Sequence, residues 1–141
     1  MNVFKIFSVF PLLAIPALFY ALLAAPHGGV EVNAWLAKPA FTIGMSGGGQ
    51  WVLTSGHIFT LLSIFCLFFE IIKSVRPTTE GLIDNSLSVG VFIICLIMFL
   101  LVPGFGTTEF FMIMLMSVLD FMAGAVVMVT AARRSVEFDR N

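Results

Sequence analysis

Residues 56–76, GHIFTLLSIFCLFFEIIKSVR, decide the fold of this chain. Between His57 and Lys73 the stretch holds a single charged residue, Glu70. A helix of about 19 residues, rising ~1.5 Å per residue, matches a hydrocarbon core of ~30 Å. Lys73 and Arg76 close the stretch, and basic residues favour the cytoplasmic side of a membrane. The stretch therefore predicts a spanning helix whose C-terminal end is cytoplasmic.

The composition of the whole chain is that of a membrane protein. Of its 141 residues, 60% are hydrophobic and 11% are charged, and the mean hydropathy is +1.08. Soluble domains carry roughly 25% charged residues. We therefore predict a single integral membrane domain over residues 1–141, in contact with the lipid bilayer. The net charge of −1 argues against a nucleic-acid partner, which requires a basic surface.

The N-terminal apolar run predicts a first span over residues 6–25. A cleaved signal peptide is the alternative, but the small-residue pattern that cleavage needs is poor. Pro11 and Pro16 each remove a backbone donor and crowd the preceding turn, so we expect the helix to be kinked or loosened there.

Two further spans are predicted in the C-terminal half, at residues 86–102 and 108–132. The polar connection 77–84 precedes the first of them, with Asp84 or Ser86 as the expected cap. Thr107 or Thr108 is expected to cap the second. All four spans together predict an all-α membrane fold.

Residues 26–54 form the longest segment between predicted spans, and we expect them outside the cell membrane. The first part, PHGGVEVNAWLAKPA, is expected to be a loop with Trp35 at the headgroup level. The second part, FTIGMSGGGQWVLT, alternates apolar and polar residues around a glycine cluster at 46–49. This period of two predicts an extracytoplasmic β-hairpin between the first and second helices.

The basic residues set the orientation. With both termini cytoplasmic, the outer loops hold only Lys38, and the cytoplasmic flanks hold Lys5, Lys73, Arg76, Arg133, Arg134 and Arg140. This strong positive-inside bias predicts an even number of spans in a bacterial inner membrane.

Asp120 is the most informative polar residue, because it lies close to the middle of the fourth predicted span. A carboxylate there costs ~2.5–3.5 kcal/mol on insertion scales, so it must be neutral, paired or hydrated. We expect hydroxyl groups at similar heights to satisfy it, namely Thr60, Ser63 and Tyr20, with no cation at its depth. Its face of the helix carries small residues and should contact protein: Ser117, Asp120, Gly124, Met128 and Ala131.

Two other polar sites are expected to have local roles. Glu70 and Lys73 are three residues apart and should form a partly hydrated ion pair near the inner boundary of the membrane. His57 falls in the first turn of the second span and is expected to cap it or to lie at the interface.

No cofactor or metal is predicted. The glycines at 47–49 lack the lysine and hydroxyl residue of a phosphate-binding loop. Met112, Met114 and Met116 are spaced by two and so point around a helix, which does not favour a copper site. Cys66 and Cys95 lie in apolar runs and are expected to be free, buried thiols.

Three runs resemble a group of small proteobacterial inner-membrane proteins with no assigned activity: residues 41–76, 83–105 and 110–138. The resemblance leaves the first span unmatched. It implies an inner-membrane address and shared positions at Trp51, Glu70, Lys73, Ser88, Asp120, Gly124, Ala132, Arg133 and Arg134. At His57 the group more often has aspartate, so the resemblance implies no carboxylate-dependent function there.

Three functions fit the sequence. The first is a non-enzymatic accessory or scaffold protein that self-associates or joins a larger membrane complex. The second is a small proton or cation channel or transporter that uses Asp120. The third is a membrane-embedded enzyme or a lipid- or quinone-binding protein, for which the candidates His57, Glu70 and Asp120 lie at heights that differ too much to form one site.

Overall fold

The computed structural model describes residues 9–26, 28–74 and 78–138. The chain is mostly helical, with one small sheet. Its elements in order are α1 (Ala14–Ala24), α2 (Gly28–Leu36), β1 (Pro39–Gly44), β2 (Gln50–Thr54), α3 (Ser55–Ser74), α4 (Thr79–Leu101) and α5 (Thr108–Phe138). Three of them, α3, α4 and α5, are long and apolar enough to cross a membrane.

The predicted first span is shorter than expected in the described residues. A bend and a turn over residues 10–13 separate α1 from Val9, and residues 6–8 lie outside the described part. Pro11 breaks the helix, as expected, whereas Pro16 does not kink it. Pro16 lies in the first turn of α1, where a missing N–H costs no helical hydrogen bond. With 11 residues, α1 alone reaches about 16 Å, roughly half of the hydrocarbon core.

The loop predicted before the hairpin was wrong in part, because residues 28–36 form the helix α2. Val32 and Leu36 are four residues apart and both are 3% exposed, so one face of this short helix is buried. The ring of Trp35 packs edge-on against Phe59 of α3, with 5.8 Å between centroids. The sequence did not predict α2 because it begins with two glycines, which disfavour a helix.

The hairpin itself is confirmed. β1 and β2 pair antiparallel, with Phe41 opposite Leu53 and Ile43 opposite Trp51. The turn closes with a hydrogen bond from Met45 N to Gly49 O of 2.8 Å. Gly48 has φ of +84°, a conformation that favours glycine. Every residue of β1 is exposed.

Two predicted helix boundaries need correction. α4 begins at Thr79, seven residues before Ser86, because the Thr78 hydroxyl accepts a hydrogen bond from Gly81 N at 3.1 Å and caps it there. Most of the predicted polar connection is therefore helical. α5 is capped by Thr107, which accepts from Phe110 N at 3.2 Å, and it continues to Phe138. Arg133 therefore lies within this helix and not after it.

The long helices pack around α5. This helix contacts α3 on one side and α4 on the other, whereas α3 and α4 meet at few residues, among them Lys73 and Asp84. α1 lies against all three. α4 buries a narrow stripe, Asp84, Ser88 and Cys95, and exposes apolar residues on the rest of its surface. An exposed apolar surface of this kind is expected where lipid is the solvent.

The apolar core lies near the hairpin end of the bundle. Tyr20 of α1 is 2% exposed, and its ring lies 5.0 Å from that of Phe110 and 5.9 Å from that of Phe59. Phe105 contacts Phe110 edge-on at 4.8 Å. The Tyr20 hydroxyl hydrogen-bonds Thr107 Oγ1 at 2.6 Å and donates to Gly104 O at 3.1 Å. This aromatic cluster joins α1 to α3 and to the turn before α5.

Candidate functional site

A group of buried polar side chains lies between the long helices, away from the aromatic core. We call it the buried polar cluster, and it consists of Glu70 and Lys73 of α3, Asp84, Asn85 and Ser88 of α4, and Asp120 of α5, with the backbone of residues 10–12 at its edge. Glu70 is 0% exposed, Ser88 2%, Asp84 3% and Asp120 4%. Such burial of charged side chains requires partners, since each isolated charge is costly away from water.

Lys73 joins three elements. Its ammonium donates to Phe10 O at 2.8 Å and to Asp84 Oδ1 at 2.8 Å, and it lies 3.1 Å from Glu70 Oε2. Two of the three N–H donors of the ammonium are thus hydrogen-bonded, and Glu70 lies within ion-pair distance. The predicted Glu70–Lys73 pair is therefore present, with the Lys73 side chain 15% exposed and the Glu70 side chain fully buried.

Glu70 reaches the break at Pro11. Both of its carboxylate oxygens accept from Leu12 N, each at 3.1 Å. This N–H is available because Leu12 precedes the first turn of α1 and has no helical acceptor. The positive end of a helix favours a carboxylate at this position. The break thus exposes one donor and one acceptor of the backbone, Leu12 N and Phe10 O, to the cluster.

Asp84 was missed as a site residue because the sequence pattern placed it in a polar connection. The early start of α4 brings it to the second turn, where its side chain points at Lys73. One signal was available, since Asp84 and Ser88 are four residues apart and share a helix face. That face also carries Cys95, which is 2% exposed.

The predicted partners of Asp120 were wrong. Thr60 donates to Gly56 O at 3.3 Å and Ser63 to Phe59 O at 2.7 Å, each within α3. The hydroxyl beside the Asp120 carboxyl belongs instead to Ser88. Lys73, which the sequence placed near the inner boundary of the membrane, acts on Asp120 electrostatically without forming an ion pair with it. The long stem of a lysine lets its ammonium reach well beyond the turn that carries it.

The other two predicted site residues lie elsewhere. His57 caps α3 with Thr54: His57 N donates to Thr54 Oγ1 at 3.3 Å, and Thr54 N donates to His57 Nδ1 at 3.2 Å. The capping expected of His57 is thus present. Tyr20 belongs to the aromatic core, and neither residue joins the buried polar cluster.

Among the residues that the structure describes, the charges of the cluster do not balance. Glu70, Asp84 and Asp120 contribute three carboxyl groups, and Lys73 contributes one ammonium. Fully ionised, the four groups carry a net charge of −2, counted as three negative charges and one positive. Lys73 is engaged by Glu70 and Asp84 directly, so Asp120 is the carboxyl that its ammonium does not touch. Among the described residues, no three His, Cys, Asp or Glu side chains converge as a metal site.

An apolar groove lies between α1 and α4, with a volume of about 440 Å³. Leu18 and Leu22 line one wall, and Ile94 and Met98 line the other. Leu18, Leu22 and Ile94 are exposed on the outer surface of the bundle, apart from the carboxyl groups of the cluster. The lipid- or quinone-binding hypothesis therefore stays a prediction.

Comparison with known proteins does not assign the chain to a family. No family model matches the chain, and no curated protein or solved structure is significantly similar to it. The resemblance to small inner-membrane proteins stays a prediction, and the functional argument depends on the geometry of this chain alone.

Proposed function

We propose that this chain is a small multi-pass membrane protein that moves a proton or a small cation, with Asp120 in the path. The observation that carries the proposal is the charge imbalance of the buried polar cluster. Two unbalanced carboxyl groups between membrane helices are costly, and intramembrane ionisable groups usually mark an ion or proton path. A proton or cation that binds here lowers this cost, and one that leaves restores it.

The break in the N-terminal segment supports the same function. Irregular backbone is tolerated at membrane depth where it is enclosed by protein or lines a cavity, and interrupted helices commonly bind ions in transporters. Here the interruption at Pro11 presents Leu12 N to Glu70 and Phe10 O to Lys73. A change in the charge of Glu70 or Lys73 therefore alters the hydrogen bonds that hold residues 10–12 against α3.

The proposed topology has four crossings of the bacterial inner membrane and cytoplasmic termini. α3, α4 and α5 supply three crossings. The fourth is the span predicted over residues 6–25, of which α1 is the described helix. The hairpin then lies outside, with Lys38 at its base, and Lys73 and Arg133 lie at the cytoplasmic side. Three other basic residues of the predicted orientation lie outside the described residues: Lys5, Arg76 and Arg140.

We expect Asp120→Asn to abolish ion movement. The amide keeps the shape and hydrogen bonding of the side chain but cannot carry the charge that takes up a proton or cation. Purified protein in liposomes, with a sodium or pH gradient and an enclosed indicator dye, should show flux that falls to the level of protein-free vesicles in the variant. Ser117→Ala is the matched control, since Ser117 is buried three residues away and bonds only its own helix, at Ile113 O.

Wild-type protein that gives no more flux than protein-free vesicles would contradict the proposal. So would Asp120→Asn with unchanged flux.

A second function is favoured by the hairpin, namely that of a self-associating accessory protein. Phe41 is 63% exposed, Ile43 49% and Trp51 50%, and strand register places the three on one face. The two-stranded sheet also leaves one open edge on each strand in the described residues. An apolar face with open edges favours pairing with a second copy of the same hairpin across a two-fold axis.

This second proposal predicts that Phe41→Ser with Trp51→Ser reduces chemical cross-linking between copies in native membranes to a minor fraction of the wild-type yield. In this proposal the apolar face of the hairpin is the contact between the two copies, and the two serine substitutions remove most of its apolar area. Thr42→Ser with Gln50→Ser on the opposite face is the control and should leave the yield unchanged. Equal yields from both double variants would count against the hairpin as the contact surface.

A further inference from the structure

Two polar atoms of α4 are buried and have no hydrogen-bond partner among the described residues: Ser88 Oγ and Asn85 Oδ1. Ser88 as a whole is 98% buried, as the complement of its 2% exposure. Its hydroxyl lies beside the Asp120 carboxyl without the geometry of a formed hydrogen bond. Unpaired polar atoms are uncommon in protein interiors, and each one calls for an explanation.

These atoms face one strip of α5. Asn85 and Ser88 are three residues apart on α4, and Asp120 and Gly124 are four apart on α5, so each pair shares a helix face. Ser88 lies beside Asp120, and Asn85 packs onto Gly124. A Cβ atom at position 124 would overlap the Asn85 side chain, so glycine makes room for the amide here. Along one helix seam, the Ser88 hydroxyl thus lies beside the Asp120 carboxyl, and the Asn85 amide oxygen lies against Gly124, about one helical turn from Asp120.

We propose that Asp120, Ser88 and Asn85 bind a small monovalent cation of the size of Na⁺. This deepens the first proposed function, on which its role in transport rests, by naming the ion and the side chains that hold it. Oxygen atoms are the ligands that hard cations prefer, and a single carboxylate matches a single positive charge. The other three ionisable groups of the cluster face the same region, but Lys73 is already bound by Glu70, Asp84 and Phe10 O.

The two simpler occupants explain less. A proton on Asp120 removes one negative charge, but a carboxyl O–H donates one hydrogen bond and leaves one of the two oxygens unpaired. A water molecule pairs both oxygens but leaves the net charge of −2 unchanged. In the proposed site, a cation binds the carboxylate, the hydroxyl and the amide oxygen together and lowers the net charge of the cluster by one.

The test measures the thermal unfolding of the purified full chain by tryptophan fluorescence, in NaCl and in choline chloride of equal ionic strength. A ligand that binds only the folded state raises the melting temperature in a saturable way. We expect a rise of about 4 °C or more when Na⁺ is in large excess over its dissociation constant. Trp35 reports on the core because it packs against Phe59.

Three variants locate the ion. Asp120→Asn and Ser88→Ala should lose the sodium-dependent rise, and Ser117→Ala should keep it. Ser88→Ala removes no hydrogen bond of the described structure, so this variant is expected to fold. It can therefore test the site even if Asp120→Asn fails to fold.

Equal melting temperatures of the wild type in the two salts would overturn the proposal, and so would a full sodium-dependent rise in Ser88→Ala. A melting temperature that responds to pH but not to sodium would overturn the proposal and identify a proton in its place. The binding and transport proposals fail separately. A sodium-dependent rise without flux in liposomes would support the binding site and contradict the transport role. Flux without a sodium-dependent rise would support transport and contradict the binding site.

Discussion

Lys73→Met is expected to destabilise the protein more than any other single substitution in the cluster, by about 3–5 kcal/mol. The change removes the ammonium that three acceptors share, and it leaves Glu70 and Asp84 as buried carboxyl groups without their cation. The backbone carbonyl of Phe10 also loses the hydrogen bond that Lys73 donates to it. Unfolding by SDS in mixed micelles, followed by tryptophan fluorescence, should show the transition at a lower SDS fraction than in the wild type.

The cause of this loss can be tested with a rescue. Lys73→Met combined with Glu70→Gln and Asp84→Asn removes the positive charge and both of its negative partners, and replacing all members of a buried ionic group is often close to neutral for stability. We expect the triple variant to recover most of the stability lost in the single variant. A triple variant as unstable as Lys73→Met would show that the ammonium matters through its bond to Phe10 O and the packing of its stem, and not through charge.

Phe110→Ala is expected to cost about 3 kcal/mol or more. Phe110 is 0% exposed, and its ring contacts those of Tyr20 and Phe105, so the substitution leaves a cavity where α1 meets the turn before α5. In a membrane the loss is one of packing contacts, because lipid is as apolar as the side chain removed. The same SDS titration measures it.

Phe65→Ala is the matched control for that substitution. Phe65 lies on α3 and is 63% exposed, so lipid can replace the lost ring without a cavity. We expect a change of less than about 0.5 kcal/mol, as is usual for exposed positions. A loss at Phe65 as large as that at Phe110 would mean that the outer face of α3 is covered by protein in the micelle.

The sequence predicted the hairpin because its alternation and its turn glycines are local. A period of two over Phe41, Ile43 and Met45, a glycine turn and a second apolar alternation need no distant partner to be recognised. Of the four spans that the sequence predicted, three are membrane-length helices in the described residues, since length and apolar content alone identify them. Helix starts were less certain, because Thr78 and Ser86 are both acceptable caps and only the structure shows which hydroxyl accepts a backbone N–H.

The sequence by itself determined that this is a helical chain suited to a bilayer, that Glu70 and Lys73 meet, and that the Asp120 face of α5 contacts protein. Each of these follows from spacing within one helix. Only the tertiary structure decided that α5 lies between α3 and α4, and therefore that Asp84, Ser88 and Asp120 gather near Lys73. The physical reason is that apolar helices in lipid pack by shape and by their few polar side chains, and pairing between residues of different helices leaves no periodic trace in the sequence.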